Sequence, residues 1–172
     1  TPINGIIGMS DLVLETKLTR EQRRHIDIIK SSASGLLTLI NDLLDFSKIE
    51  AGKLELEEIE FDLRDCIEKS ATLLAQQAYV KGLTLTNLIQ NDVPSRLLGD
   101  PGRLRQIIIN LLGNAIKFTH TGEVVLSVKK LPDESRGRVR LHVEVADTGI
   151  GLLAKDQVKL FQPYNQAGAS MS

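Results

Sequence analysis

Tryptophan is absent from this chain of 172 residues, which has only one cysteine, two tyrosines and four phenylalanines. A core with so few large rings has to be assembled from Leu, Ile and Val. The lone Cys66 excludes an intramolecular disulfide and fits a reducing compartment. Neither sign of charge prevails, since 21 Lys and Arg face 22 Asp and Glu for a formal charge of −1. Bulk electrostatic attraction to nucleic acid or to an anionic membrane is therefore not expected. No apolar run approaches the roughly 18–20 residues that span a bilayer. No signal peptide, internal repeat or low-complexity tract is visible either. The chain is expected to be soluble and without direct membrane contact. Its start at Thr1-Pro2, without Met, fits the cytoplasmic end of something longer, including a membrane-anchored receptor.

What is present is helix with a strong period. Hydrophobic residues make up 42% of the chain, enough for a core in one domain plus a helical appendage. Residues 1 to about 52 read as wholly helical. Ile26, Ile29, Ala33, Leu36, Ile40 and Leu43 follow spacings of three and four, a heptad seam that Leu37 and Leu44 widen. Upstream, Ile3, Ile6, Ile7, Val13 and Leu14 form a shorter stripe, and Met9 is read as packing residue. Thr19 with Gln22 predicts a capping box at the start of the second helix. A short link around Glu15–Leu18 then makes an antiparallel hairpin. Its stripes are broader than one hairpin can cover, so two copies are expected to pair into a four-helix bundle. The competing arrangement packs the hairpin on its own C-terminal half. Ser31 to Gly35 thin the second helix, either to admit a partner or to pack tightly at the bundle centre.

After Ala51-Gly52 the pattern changes. LELEEIEF (54–61) reads as a strand, Asp62 as the N-cap of a helix to about Lys81, and Gly82 as its stop. LTLTNLI (83–89) is a second strand. Asp100-Pro101 opens another helix. Residues 123–130 and 138–147 form a hairpin whose second strand puts Val139, Leu141, Val143 and Val145 on one face. The fold class is α+β: a helical hairpin (1–52) followed by an α/β sandwich (53–172) with helices on one side of the sheet.

Candidate chemistry gathers in two places. In LRQIIINLLGNAIKFT (104–119), Gln106, Asn110, Asn114 and Lys117 share one helical face, while Leu104, Ile107, Ile108, Leu111, Ala115 and Phe118 are expected to point to a core. A ladder of carboxamides ending in an ammonium group belongs on a face open to water or to a ligand. The second place is Asp147-Thr148-Gly149-Ile150-Gly151, a carboxylate and two glycines after a strand. There Asp147 can accept from an exocyclic amine, and glycine lets a ligand approach the backbone. An amide oxygen suits Mg²⁺ and a lysine suits phosphate, so the two stretches together describe a nucleotide site, most simply for ATP. His25, His120 and His142 read as solvated, and Cys66 as ordinary core.

NLLGNAIKFT strongly resembles the N box of sensor histidine kinases, DTGIG their G1 box and LFQPYNQ (160–166) their F box. TPINGIIG (1–8) is similar to the stretch just after the phospho-accepting histidine, and LINDLLDFSKIEAGKLEL (39–56) to the end of the dimerisation helix. The style is that of hybrid kinases linked to response regulators. The resemblance implies that Asn114 binds Mg²⁺ across the phosphates, with Asn110 helping to order that shell. Lys117 would contact phosphate, Asp147 the adenine amine, and Gly149 and Gly151 would form the floor under the base and the hinge of an ATP lid. Phe161 would anchor the far side of the lid. Thr1 falls where the family orients water to dephosphorylate its regulator. A homodimer through residues 1–52 and a receiver domain as phosphorelay partner are implied as well.

Two departures bear on activity. The acceptor histidine of the family lies upstream of Thr1, and the glycine-rich G2 box would follow the F box beyond Ser172. This stretch is therefore expected to carry the scaffold and half of the pocket, and to be inactive alone. A rival reading keeps the nucleotide fold but makes an ATPase of the gyrase, mismatch-repair or chaperone kind. Those enzymes use a glutamate base where this chain has Asn110. A third reading is a non-catalytic dimerisation module with a decayed pocket, against which Asn110, Asn114, Lys117 and Asp147 speak.

Overall fold

The computed structural model describes residues 2–132 and 137–151. The chain divides into two compact units, Thr1–Glu55 and Leu56–Ser172.

The first unit is a helical hairpin of α1 (Pro2–Leu14) and α2 (Arg20–Glu50). The expected capping box forms: Thr19 Oγ1 accepts from Gln22 N at 3.2 Å, and Gln22 Oε1 accepts from Thr19 N at 3.0 Å. Each bond satisfies a backbone donor that the helix start leaves unpaired. Arg23 donates to Leu14 O at 3.1 Å, tying α2 to the end of α1. An ion pair of 2.5 Å between Lys30 and Asp11 fixes the register further along. Ile3, Ile7, Ser10 and Leu14 of α1 are turned inward, as are Ile26, Lys30, Ala33 and Leu37 of α2. Ser10 and Ala33, both small and both buried, mark a close approach of the two helices.

The expected seam on α2 is divided. Ile26 and Ala33 are inward, whereas Ile29, Leu36, Ile40, Leu43 and Leu44 are exposed within the single chain. One short helix can cover only one edge of so wide a stripe. Ile6 is exposed for the same reason, and Met9, read as a packing residue, is 61% exposed.

In the second unit, Asp62 caps α3 (Leu63–Val80) by accepting from Asp65 N at 3.0 Å, and Gly82 stops it at φ +70°. β1 (Ile59–Asp62) pairs antiparallel with β3 (Arg96–Gly99). A second sheet has the order β2-β4-β5. There β2 (Thr84–Ile89) runs parallel to β4 (Glu123–Leu131), and β5 (Arg140–Asp147) runs antiparallel to β4 with Leu126 opposite Val145. The parallel pair requires a crossover, and α4 (Pro101–Phe118) supplies it. Leu63, Ile67, Ile108, Leu112 and Ile116 from the helices meet Val124, Leu126 and Val128 from the sheet in the core. Cys66 is buried there too. The α+β reading holds, with two differences. β3 was not anticipated, and the first strand begins at Ile59, not near residue 54. Its partner β3 is only four residues long, so upstream backbone has nothing to pair with. Glu57 N instead donates to Asp100 Oδ2 at 3.2 Å.

Asp100 thus accepts from the backbone amides of Arg103, Glu57 and Gly102. The Arg103 amide is the main cause that holds its carboxyl below the ordinary 3.8, with the Glu57 amide adding to it. A carboxyl with a depressed folded pKa contributes stability above its unfolded value and loses it as pH falls through the folded one. The second unit of the parent protein is expected to lose stability below about pH 4 more steeply than Asp100→Asn. Urea titrations at pH 2.5, 3.5 and 7 measure this, and identical acid slopes would contradict it.

Candidate functional site

Asp100 begins α4 by accepting from Arg103 N at 2.9 Å, and Pro101 follows in the first turn, where its missing N–H costs nothing. One side of the helix, with Ile108, Leu112, Ala115 and Ile116, is buried. On the other side Asn110, Asn114 and Lys117 are exposed and Gln106 is half-buried. The carboxamides of Asn110 and Asn114 have no hydrogen-bond partner among the described residues. Lys117 Nζ stands 5.1 Å from the centre of the Phe118 ring.

Three residues expected in the core are out of it. Ile107, Leu111 and Phe118 are 56%, 44% and 43% exposed. Their spacing explains it: positions 107, 111, 114 and 118 run along one side of the helix, between Asn110 and the edge of the buried arc. The open face of α4 is therefore mixed, with apolar groups beside amides.

The second stretch is locked at the C-terminal end of this helix. A helix ends with carbonyls that its own amides cannot reach. Here Thr119 donates to Ala115 O from both N (3.0 Å) and Oγ1 (2.7 Å). Lys81 Nζ donates to Ile116 O (2.7 Å), Lys117 O (2.9 Å) and, at 3.5 Å, Thr119 O. Ile150 N donates to Phe118 O at 3.4 Å, which joins the turn after β5 to the last turn of α4. Asp147 and Lys117 are thereby held at one helix end, with Asn114 one turn and Asn110 two turns back along the axis.

Within the turn, Asp147 Oδ1 accepts from Gly149 N at 2.9 Å, leaving Oδ2 uncommitted among the described residues. Thr148 N donates to Glu123 O at 3.2 Å, and Thr148 Oγ1 accepts from Glu123 N at 3.0 Å. The same hydroxyl lies 3.2 Å from Thr121 O. Glycine is needed at two points. A Cβ at Gly149 would lie 2.7 Å from both Asp147 Oδ1 and Phe118 O, and one at Gly122, φ +108°, would strike the Thr148 side chain. Gly151 has φ +65°, a conformation that suits a turning point.

Thr148, Gly122, Thr119 and Lys81 escaped the sequence reading, because their roles are made by partners distant in the chain. The neighbouring Asp147 and Gly149 were the only signal. Thr1 and Phe161 lie outside the described residues. The three histidines are exposed, with His142 3.6 Å from Glu144. A shallow groove lined by Arg20, Arg23, Arg24 and Asp27 belongs to the helical unit and carries none of the candidate residues.

After the helical hairpin, the chain thus forms an α/β unit in which a parallel strand pair is crossed over by an amide-bearing helix with an acidic glycine turn docked on its end. Residues 1–52 match the His Kinase A (phospho-acceptor) domain, and residues 99–172 the histidine kinase-, DNA gyrase B- and HSP90-like ATPase family. The chain belongs to the sensor histidine kinases. Over all 172 residues it is 52% identical to the signal transduction histidine-protein kinase BarA of Escherichia coli strain K12 and 48% identical to the sensor protein GacS of Pseudomonas syringae pv. syringae. It spans 19% of the length of each. Full-length ShkA, solved in complex with AMPPNP, is similar over 90% of this chain and 32% of its own, with 38% identity and a TM-score of 0.68.

Gly149→Ala is expected to destabilise the second unit by roughly 1–3 kcal/mol, the usual range for overpacking. Thr148→Val, which keeps the volume and removes the hydroxyl, is expected to cost about 1 kcal/mol. Thermal unfolding of both variants checks this, and an unchanged midpoint for Gly149→Ala would contradict the close packing of the turn.

Proposed function

We propose that the chain is the transmitter core of a two-component kinase, with residues 1–52 as dimerisation and phosphotransfer hairpin and 53–172 as ATP-binding domain. In this reading the γ-phosphoryl of Mg-ATP passes to a histidine upstream of Thr1 and then to a receiver aspartate. One observation carries it: carboxamides on an open helix face and a carboxylate oxygen held at the end of that same helix, all uncommitted among the described residues.

Each residue then has a task. Asp147 Oδ2 accepts from the purine amine, and the bond from Gly149 N to Oδ1 keeps the carboxylate oriented. Ile107, Leu111 and Phe118 give the face an apolar component suited to a base. Asn114 and Asn110 offer neutral, hard oxygens. Among the described residues no group of three or more His, Cys, Asp or Glu side chains converges. These donors therefore fit a cation that keeps most of its shell as water and phosphate, as Mg²⁺ does. When bound, that ion would neutralise charge on the phosphates. Lys117 would add a point charge beside it. Asn110 cannot take a proton from water as a glutamate would, which favours transfer to a protein nucleophile over hydrolysis. Thr1, Gly151 and Phe161 keep their family roles in this reading: water orientation, lid hinge and lid anchor. A cytoplasmic placement follows from the need for ATP and a receiver, whether or not a membrane anchor exists elsewhere. Among the described residues no helix is long and apolar enough to cross a membrane.

Titration of Mg-ADP into the full-length protein is the test. Asp147→Asn is expected to weaken binding at least tenfold, about the worth of one hydrogen bond to a charged group. Asn114→Ala should weaken Mg-ADP far more than metal-free ADP. Affinities within twofold of the parent for Asp147→Asn would overturn the adenine role. The exposed seam on α2 yields a second prediction. The 172-residue chain sediments as a dimer at tens of micromolar, and Leu36→Glu with Leu43→Glu returns it to monomer. A parent that stays monomeric there would contradict dimerisation through the hairpin.

A further inference from the structure

The ammonium group of Lys81 is set against the C-terminal turn of α4, in contact with three main-chain carbonyls and, among the described residues, with no acidic side chain. Its stem is fixed. Lys81 is the C-cap of α3 at φ −83° and ψ −3°, and Gly82 at φ +70° turns the chain so that Leu83 N reaches Ala78 O at 2.9 Å. The acceptors are Ile116 O, Lys117 O and Thr119 O. They flank Phe118 O, the oxygen on which the Asp147 turn is hung.

Two physical effects follow. Carbonyls at a helix C-terminus carry together about half a negative charge, and a cation at that end offsets it. In addition, three donors on one ammonium hold the last turn of α4 closed, and with it the Cα of Lys117 and the anchor for Ile150. We infer that Lys81 is a positioning residue for the nucleotide site. It sets the spacing between the Asp147 turn and the amide face, and it removes a negative helix end from beside the place of the phosphates. This inference rests on the nucleotide reading above and assigns Lys81 no contact with nucleotide.

The charge component gives the test a signature that loss of fold does not share, because it is screened by salt. Mg-ADP affinity of the full-length protein is measured at 20 and 500 mM NaCl for the parent, Lys81→Met, Lys81→Arg and Asp62→Ala. The last removes the N-cap at the far end of the same helix α3, so it lowers the unfolding midpoint without touching the clamp. Lys81→Met is expected to bind about tenfold more weakly at low salt and less than fourfold more weakly at high salt. Lys81→Arg should recover most of the loss, and Asp62→Ala should bind like the parent. Should Lys81→Met fail to fold, Lys81→Gln, which keeps a donor without the charge, answers the same question. A parent that binds while the Met or Gln variant matches it within twofold at both salts would overturn the role of Lys81 alone. A parent that binds no Mg-ADP would overturn the nucleotide reading, and this inference with it.

Discussion

The last turn of α4 ends in carbonyls that the helix cannot satisfy, and those of Ile116, Lys117 and Phe118 find donors from other parts of the second unit. Thr119 turns back on Ala115 O, Lys81 arrives from the end of α3, and Ile150 arrives from beyond β5. Buried or half-buried main-chain oxygens left unpaired would each cost on the order of 1–3 kcal/mol. The need to satisfy them therefore draws two separate segments, the end of α3 and the turn after β5, to one place. The Asp147 turn stands at the end of an amide-bearing helix because that helix end requires donors.

Thr148 completes the arrangement from the other side. Its hydroxyl and amide bind both main-chain groups of Glu123 at the start of β4, so the turn is stitched to the strand that neighbours its own. Gly122 makes room for that hydroxyl and Gly149 makes room for Phe118 O. The turn is gripped by sheet and helix together, while one oxygen of Asp147 stays uncommitted among the described residues. A rigid frame with an uncommitted acceptor is a recognition surface, since no contact has to be broken before a ligand is engaged.

Much of this was legible in the residues themselves. Asp100-Pro101, Thr19 with Gln22, and Asp62 with Gly82 mark helix ends by local chemistry, and the structure bears out each. The amide stripe follows from a period of 3.6 alone. Ile107, Leu111 and Phe118 were misread because hydrophobicity does not say which of two adjoining arcs on a helix is covered. The same limit applies to Leu36 and Leu43 on α2, which are exposed beside the covered Ala33. β3 was missed because Arg96–Gly99 is four residues long and its strand character comes only from pairing with β1. Lys81 lies 35 to 38 residues from its acceptors, beyond any local signal.

The crossover between β2 and β4 has a kinetic meaning as well. Those strands run side by side in the same direction, so their alignment cannot form until the intervening stretch has been synthesised and wound. That stretch is the very helix with the amides, which means the recognition surface and the central pairing of the sheet come into being in one event. A nascent chain halted before Glu123 would lack every partner of β2 in that sheet. Conversely, Ile108, Leu112 and Ile116 pack with Val124, Leu126 and Val128, so pulling α4 away from the sheet would open the core of the second unit.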